Sequence, residues 1–180
     1  MASPPSDTPS RPIKSVDYSK VTLGHVIEPQ DANPAGIAHG GVIMKLIDNA
    51  GGVAAIRHTR CNVVTASIDR MDFHHPAFIG NLVVLNASLN MVGTTSMEVG
   101  VRVETEDLRT GEIRHTASAY LTYVALDENH RPTPVPDLLL KTDEERRRNR
   151  EARERRQVRL AEKKKEKACR SASEQKTGFS

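Results

Sequence analysis

Between residues 43 and 56 the apolar positions Ile43, Leu46, Ile47, Ala50, Val53, Ala54 and Ile56 recur at helical spacing. The pattern predicts a helix that opens after the His39-Gly40-Gly41 step and runs to about Thr59, about 27 Å long at 1.5 Å per residue. Ala50, Gly51, Gly52, Ala54 and Ala55 permit close backbone approach, so this helix is expected to be buried. On either side of it the apolar period shortens to two. A strand is predicted from 17 to about 28, where Pro29 ends it, followed by a loop of turn formers over 30–36. Four alternating, β-branched runs follow the helix, at 63–73, 82–92, 95–105 and 113–125. Pro76/Gly80, Gly93 and Thr110-Gly111 separate them at hairpin-like spacing. The order β–loop–α–β–β–β–β gives one helix and five antiparallel strands. Aromatic residues make up only 3% of the chain, with no Trp, so the helix is the one large apolar body able to fill a sheet's concave side. An α+β fold in which the sheet wraps around one helix is the expected result.

The flanks read differently. Residues 1–16 hold four Pro and four Ser and are expected to form a disordered lead-in. Pro132, Pro134 and Pro136 close a folded domain spanning 17–140 with an extended arm. Residues 141–180 form a charged tail, partly helical or disordered. Residues 141–170 carry 14 Lys/Arg against 7 Asp/Glu, net +7, whereas residues 1–140 are net −4. The pI near 9 therefore belongs to the tail, and it gives no ground for a nucleic-acid-binding core. Glu–Arg/Lys pairs at three- and four-residue spacing suit a solvated helix, and Val158 and Leu160 alone make no coiled-coil seam. The tail is expected to be dispensable for folding; docking on nucleic acid or anionic lipid is a second use of its charge. No apolar stretch approaches the ~18–20 residues of a membrane span. The first residues lack the apolar segment of a secretory signal. Cys61 and Cys169 make no disulfide framework, so a reducing, cytoplasmic setting is expected.

The segment with chemical content is DANPAGIAHGGVIMKLIDNAGG, residues 31–52. The first amides of a helix opening at Gly40-Gly41 lack intrahelical acceptors. With the positive end of the helix dipole they form an oxyanion site, or else the glycines merely allow tight packing. Asp48 falls inside an apolar helix, where an unpaired carboxylate is expensive; it is either a satisfied structural residue or a base. Asn33 offers both a donor and an acceptor, and also suits a turn before Pro34. His39 adjoins the glycines and is expected to shape the site entrance or orient Asn33. Gly93-Thr94-Thr95-Ser96 places hydroxyls and amides in what is otherwise an ordinary hairpin turn. Arg57, His58 and Arg60 complement a helix C-terminus. His39 and His74-His75 have no partners at zinc-like spacing, so no metal is expected. No G-x-S-x-G occurs, which disfavours a serine hydrolase.

Asp31, Asn33, Gly36, Gly40-Gly41 and Asp48, followed by NVVTASIDRMDFHHPAFIGN, GTTSMEVGVRV and ASAYLTYVALDENHRPTPVP, resemble the acyl-CoA hydrolase branch of the hotdog-fold thioesterases. The resemblance covers about 17–140 and stops before the tail. It implies a hotdog fold and hydrolysis of acyl-CoA to free fatty acid and CoA. Asp48 would be the general base or nucleophile, and Asn33 would position water or the carbonyl. The Gly40 and Gly41 amides would form the oxyanion hole, while His39, Gly93, Thr94, Thr95 and Ser96 would contact substrate. CoA enters as part of the substrate, and no separate cofactor is implied. Asp48 lies roughly 10 Å along the helix from its own Gly-Gly step, so a site built from both requires a second subunit. A homo-oligomer follows, with a dimer as minimal unit and a hexamer as the expected assembly. Two rival readings are hydration of an enoyl thioester and non-catalytic acyl-CoA binding or scaffolding with a docking tail. The first wants a paired acid and base, and no His stands suitably beside Asp48.

Overall fold

The computed structural model describes residues 11–177. Its order is β1 (Ile13–Ser15), α1 (Val16–Ser19), β2 (Val21–Val26), α2 (Gly40–Thr59), β3 (Asn62–Phe73), β4 (Leu82–Val92), β5 (Ser96–Glu106), β6 (Ile113–Leu126), β7 (Asp137–Leu139) and α3 (Asp143–Thr177). Strands β2 to β6 form one antiparallel sheet in the order β2-β4-β5-β6-β3, wrapped around α2. This is the expected hotdog arrangement.

The close approach allowed by the small residues of α2 is realised. Ala50, Ala54 and Ala55 are fully buried, beside Ile43 and Ile47. The sheet meets them with alternate residues: Val83, Leu85, Ala87 and Leu89 from β4; Met97, Val99, Val101 and Val103 from β5; Leu121, Tyr123 and Ala125 from β6. Arg60 ends the helix in the left-handed conformation, φ 61°. Its guanidinium donates to the Tyr18 hydroxyl, while Arg57 donates to the carbonyls of Lys20 and Tyr18. The cations at this helix end thus also tie α2 to α1.

Sheet order leaves β2 and β3 as edges. Along β3 the register slips twice, between Thr65 and Ser67 and between Ile68 and Met71. Val64, Ile68 and Phe73 are 38–49% exposed on this strand. An unpaired edge with apolar side chains is a template for another strand.

Three segments depart from the sequence expectations. The expected lead-in is structured from residue 11 onward: Ile13–Ser15 pairs in parallel with Asp137–Leu139, and Arg11 bridges Asp137 at 2.7 Å. Its first ten residues lie outside the described ones. The strand expected from residue 17 begins only at Val21, because Val16–Ser19 turns as one helical turn. The third departure is the tail.

A continuous α3 opens on a capping box, in which Glu145 N donates to Thr142 Oγ1 and Thr142 N donates back to Glu145 Oε2. Its first half packs on the outer sheet face. Ala152 is fully buried and Asn149 Nδ2 donates to the Asn90 carbonyl at 2.8 Å. Arg155 pairs with fully buried Glu98 at 2.6 Å, with its guanidinium 3.7 Å from the Tyr120 ring centroid; Arg159 pairs with Asp69. The helix therefore needs no apolar stripe to dock: one alanine allows close approach and polar groups make the contacts. Residues 178–180 lie outside the described ones. No helix among the described residues is long and apolar enough to cross a membrane.

Candidate active site

The loop before α2 is held by its own polar side chains. Asp31 Oδ2 accepts from the Glu28 amide at 3.0 Å and meets His25 Nε2 at 2.8 Å. These two bonds, the backbone one first, hold its carboxyl below the usual aspartate range. Its carbonyl accepts the His39 amide at 2.8 Å, fixing the entry to the helix. Asn33 Oδ1 accepts from the amides of Ala35 and Ile37 at 3.0 and 3.3 Å, and its carbonyl accepts from Gly36. Gly36 sits at φ +74°, a conformation that favours glycine. Asn33 thus forms the turn with its oxygen, which leaves the Nδ2 donor for a ligand.

His39 caps α2. Its Nδ1 accepts the Gly41 amide at 3.1 Å, so that amide is engaged in the structure. Among the described residues the Gly40 amide has no internal acceptor. The expected pair of oxyanion donors thus reduces to Gly40, with Gly41 joining only if His39 turns away. Gly40 lines a cavity of about 320 Å³ whose wall is mainly apolar, with Ile37, Ile43, Phe73 and Ala77 beside His74 and His75. A larger groove of about 570 Å³ lies under α3 on the opposite sheet face. Its Arg147, Arg148, Glu144 and Glu151 are paired with one another.

Asp48 lies two turns into α2, half-buried, and its carboxylate is held from the sheet. Thr65 Oγ1 donates to Asp48 Oδ1 at 2.6 Å. The Tyr123 hydroxyl shares its one proton between the Asp48 carbonyl at 2.9 Å and the same Oδ1 at 3.2 Å. Burial, reinforced by the adjacent Asp48 charge, keeps the Tyr123 phenol protonated far above its usual range, so it acts as a donor. Neither Thr65 nor Tyr123 was a sequence candidate. Within one chain the structure does not bring Asn33 and Asp48 together: their partners are the loop and the sheet respectively. Met44, Asp48, Gly52 and Ile56 lie along one stripe of α2 at four-residue spacing, and Met44 and Ile56 are more than 40% exposed.

The remaining candidates stand elsewhere. Gly93–Ser96 is the β4–β5 hairpin turn, closed by Gly93 N donating to the Ser96 carbonyl. Arg11 Nη1 donates to the Gly93 carbonyl at 2.9 Å, and the Arg156 guanidinium lies so close that a Cβ on Gly93 would sit 3.0 Å from its Nη1. His74 stacks on His115 with centroids 5.0 Å apart, and His75 Nδ1 contacts the His115 carbonyl. Among the described residues no group of three His, Cys, Asp or Glu is placed to hold a metal ion.

A helix-wrapping sheet with a carboxylate on the central helix and the open Gly40 amide at its N-terminus defines the class. The profile of the thioesterase superfamily matches residues 35–112, and the chain belongs to that family. It is 42% identical over 127 residues to the Bacillus subtilis "uncharacterized acyl-CoA thioester hydrolase YkhA", covering 71% of this chain and 74% of that one. Among solved structures it is similar to an acyl-CoA hydrolase from Staphylococcus aureus in complex with butyryl-CoA, CoA and CoA disulfide. The TM-score is 0.81 at 34% identity, covering 88% of this chain and 96% of that one. Variants of the S. aureus enzyme are also solved in which an Asn, an Asp fifteen positions later and a Thr seventeen positions beyond that are each replaced by Ala. An apo-hexameric acyl-CoA thioesterase matches with TM-score 0.81 and 36% identity, covering 84% of this chain and 97% of that one.

Proposed function

We propose that this chain is an acyl-CoA thioester hydrolase whose active site is completed by a second copy of itself. The single observation that carries this reading is the placement of Asp48: half-buried, fixed by Thr65, and about 12 Å along α2 from the Gly40 amide of its own chain. Asn33, Asp48 and Thr65 also stand at the spacings of the three residues replaced in the S. aureus variants.

In the reaction, Asp48 of one subunit takes a proton from water as the oxygen adds to the thioester carbonyl carbon. The developing oxyanion is held by the partner subunit's Gly40 amide and by the Nδ2 donor of Asn33. Collapse breaks the C–S bond, and the leaving thiolate takes up the proton, giving free acid and CoA. Water and side chains supply every atom, so no cofactor besides the CoA of the substrate takes part.

Two exposed features support a dimer: the free edge of β3 and the stripe of α2 that carries Met44, Asp48 and Ile56. Pairing β3 with its copy sets the two α2 helices side by side and antiparallel. The apo-hexameric structure favours three such dimers as the full assembly. We assign the phosphates of CoA to the Gly93–Ser96 turn, where Arg156 supplies positive charge. Cys61 and Cys169 are free, in keeping with a cytoplasmic setting.

Thiol release from acyl-CoAs of short, medium and long chain tests the reading. The wild-type protein is expected to release CoA, and Asp48→Asn to lose about 10²-fold or more in kcat, the usual value of a general base. No release from any chain length would overturn it.

A further inference from the structure

Two adjacent glycines stand on α2 just past Asp48, and they meet different surroundings. A Cβ on Gly52 would lie 3.9 Å from the nearest atom of Tyr123, an ordinary contact. A Cβ on Gly51 would lie 2.5 Å from the Tyr123 hydroxyl oxygen and 3.1 Å from Cε2 and Cζ. Tyr123 is 1% exposed and belongs to the core with Met97 and Leu121, so a side chain at 51 would have to push it out of place. A glycine inside a helix is a cost in stability against alanine. At position 51 that cost has a reason, because the phenol occupies the space a side chain would take.

The hydroxyl put there shares its one proton between two acceptors of the same residue, the Asp48 carbonyl at 2.9 Å and its Oδ1 at 3.2 Å. A core position needs only the ring, and Phe would fill it. With Thr65, two donors converge on Oδ1, whereas Oδ2 carries neither bond. We propose that Tyr123 is a positioning residue for the hydrolysis: passing through the gap at Gly51, its hydroxyl anchors Asp48 Oδ1 and leaves Oδ2 to receive the proton from water. This rests on Asp48 acting as the base.

Among the described side chains, the groups bonded to the carboxylate are Thr65 from β3 and Tyr123 from β6. Strands β2, β4 and β5 turn Leu23, Leu85 and Met97 toward the helix. Among the described side chains, the Tyr123 hydroxyl is thus the one titratable donor bonded to Asp48.

The test measures kcat and KM for the full-length assembly carrying Tyr123→Phe, Gly51→Ala or Asp48→Asn. Tyr123→Phe is expected to lower kcat about tenfold, the value of a hydrogen bond to a charged group, with KM unchanged within about twofold. Gly51→Ala crowds the phenol out of its place and should show the same loss of kcat at unchanged KM; should Tyr123→Phe fail to fold, Gly51→Ala decides alone. If Asp48→Asn is inactive but Tyr123→Phe and Gly51→Ala keep wild-type kcat, Tyr123 is packing and the inference is wrong. If Asp48→Asn itself retains activity, the base assignment fails first and takes this inference with it.

Discussion

Thr65 Oγ1 lies 2.6 Å from Asp48 Oδ1, so a hydroxyl on the edge strand β3 fixes a carboxylate on the central helix. The bond crosses from sheet to helix next to the free edge where a second subunit would pair. Thr65→Ala is expected to lower kcat about tenfold or more, the value of one hydrogen bond to a charged group. Thr65→Ser keeps the hydroxyl and should recover most of the rate. Steady-state thiol release distinguishes them; equal rates in the two variants would mean the hydroxyl is idle.

His58 predicts how stability follows pH. It is fully buried at the C-terminal end of α2, with Nε2 donating to the Pro136 carbonyl at 3.0 Å and Nδ1 without a partner. Burial pushes its pKa below the usual histidine value. The unfolded chain therefore binds the proton first, and stability is lost as pH falls below about 6.5. Urea midpoints should drop between pH 7.5 and 5.5, and less steeply in His58→Gln. Identical slopes would place the acid sensitivity elsewhere.

The docked half of α3 divides the tail. Arg155→Ala leaves Glu98 buried without its cation and should cost about 3–5 kcal/mol, as broken buried pairs do. Truncation after Leu140 uncovers Asn90 and Glu98 and should lower the melting temperature. Truncation after Leu160 keeps Asn149, Ala152, Arg155 and Arg159 with their contacts to the sheet and should leave both melting temperature and kcat unchanged. Thermal unfolding of the three proteins checks this order.

Arg156 over the Gly93 turn predicts a binding effect. Arg156→Ala should raise KM for acyl-CoA severalfold at low ionic strength with little change in kcat. The difference should shrink in salt, which screens such charges over about 8–10 Å. A KM independent of both mutation and salt would remove CoA phosphates from this turn.

What the sequence disclosed and what it hid follow from the range of the interactions. The central helix and β4 were legible nearly to the residue, because their 3.6 and 2 periods reflect one buried face each. Strands β1 and β7, three residues each, are too short to carry a period and owe their pairing to the fold that brings them together. The docking of α3 was hidden because Asn149, Ala152, Arg155 and Arg159 look like any solvated helix face. Asn33 and Asp48 stood out by motif. Thr65 and Tyr123 did not, since on alternating strands a Thr or an inward Tyr is unremarkable until α2 is laid beside it. The one local trace was the Gly51-Gly52 pair, two poor helix formers kept inside a continuous helix close to Asp48.

The most direct measurement of the central claim mixes two inactive proteins. Asn33→Ala and Asp48→Ala chains, allowed to exchange subunits, should form hybrid dimers holding one site with both wild-type residues and one with neither. Random exchange at equal amounts makes half the dimers hybrid, so thiol release should return to about one quarter of the wild-type rate per chain. A mixture that stays inactive, with exchange demonstrated by differently tagged chains, would contradict a site shared across the interface.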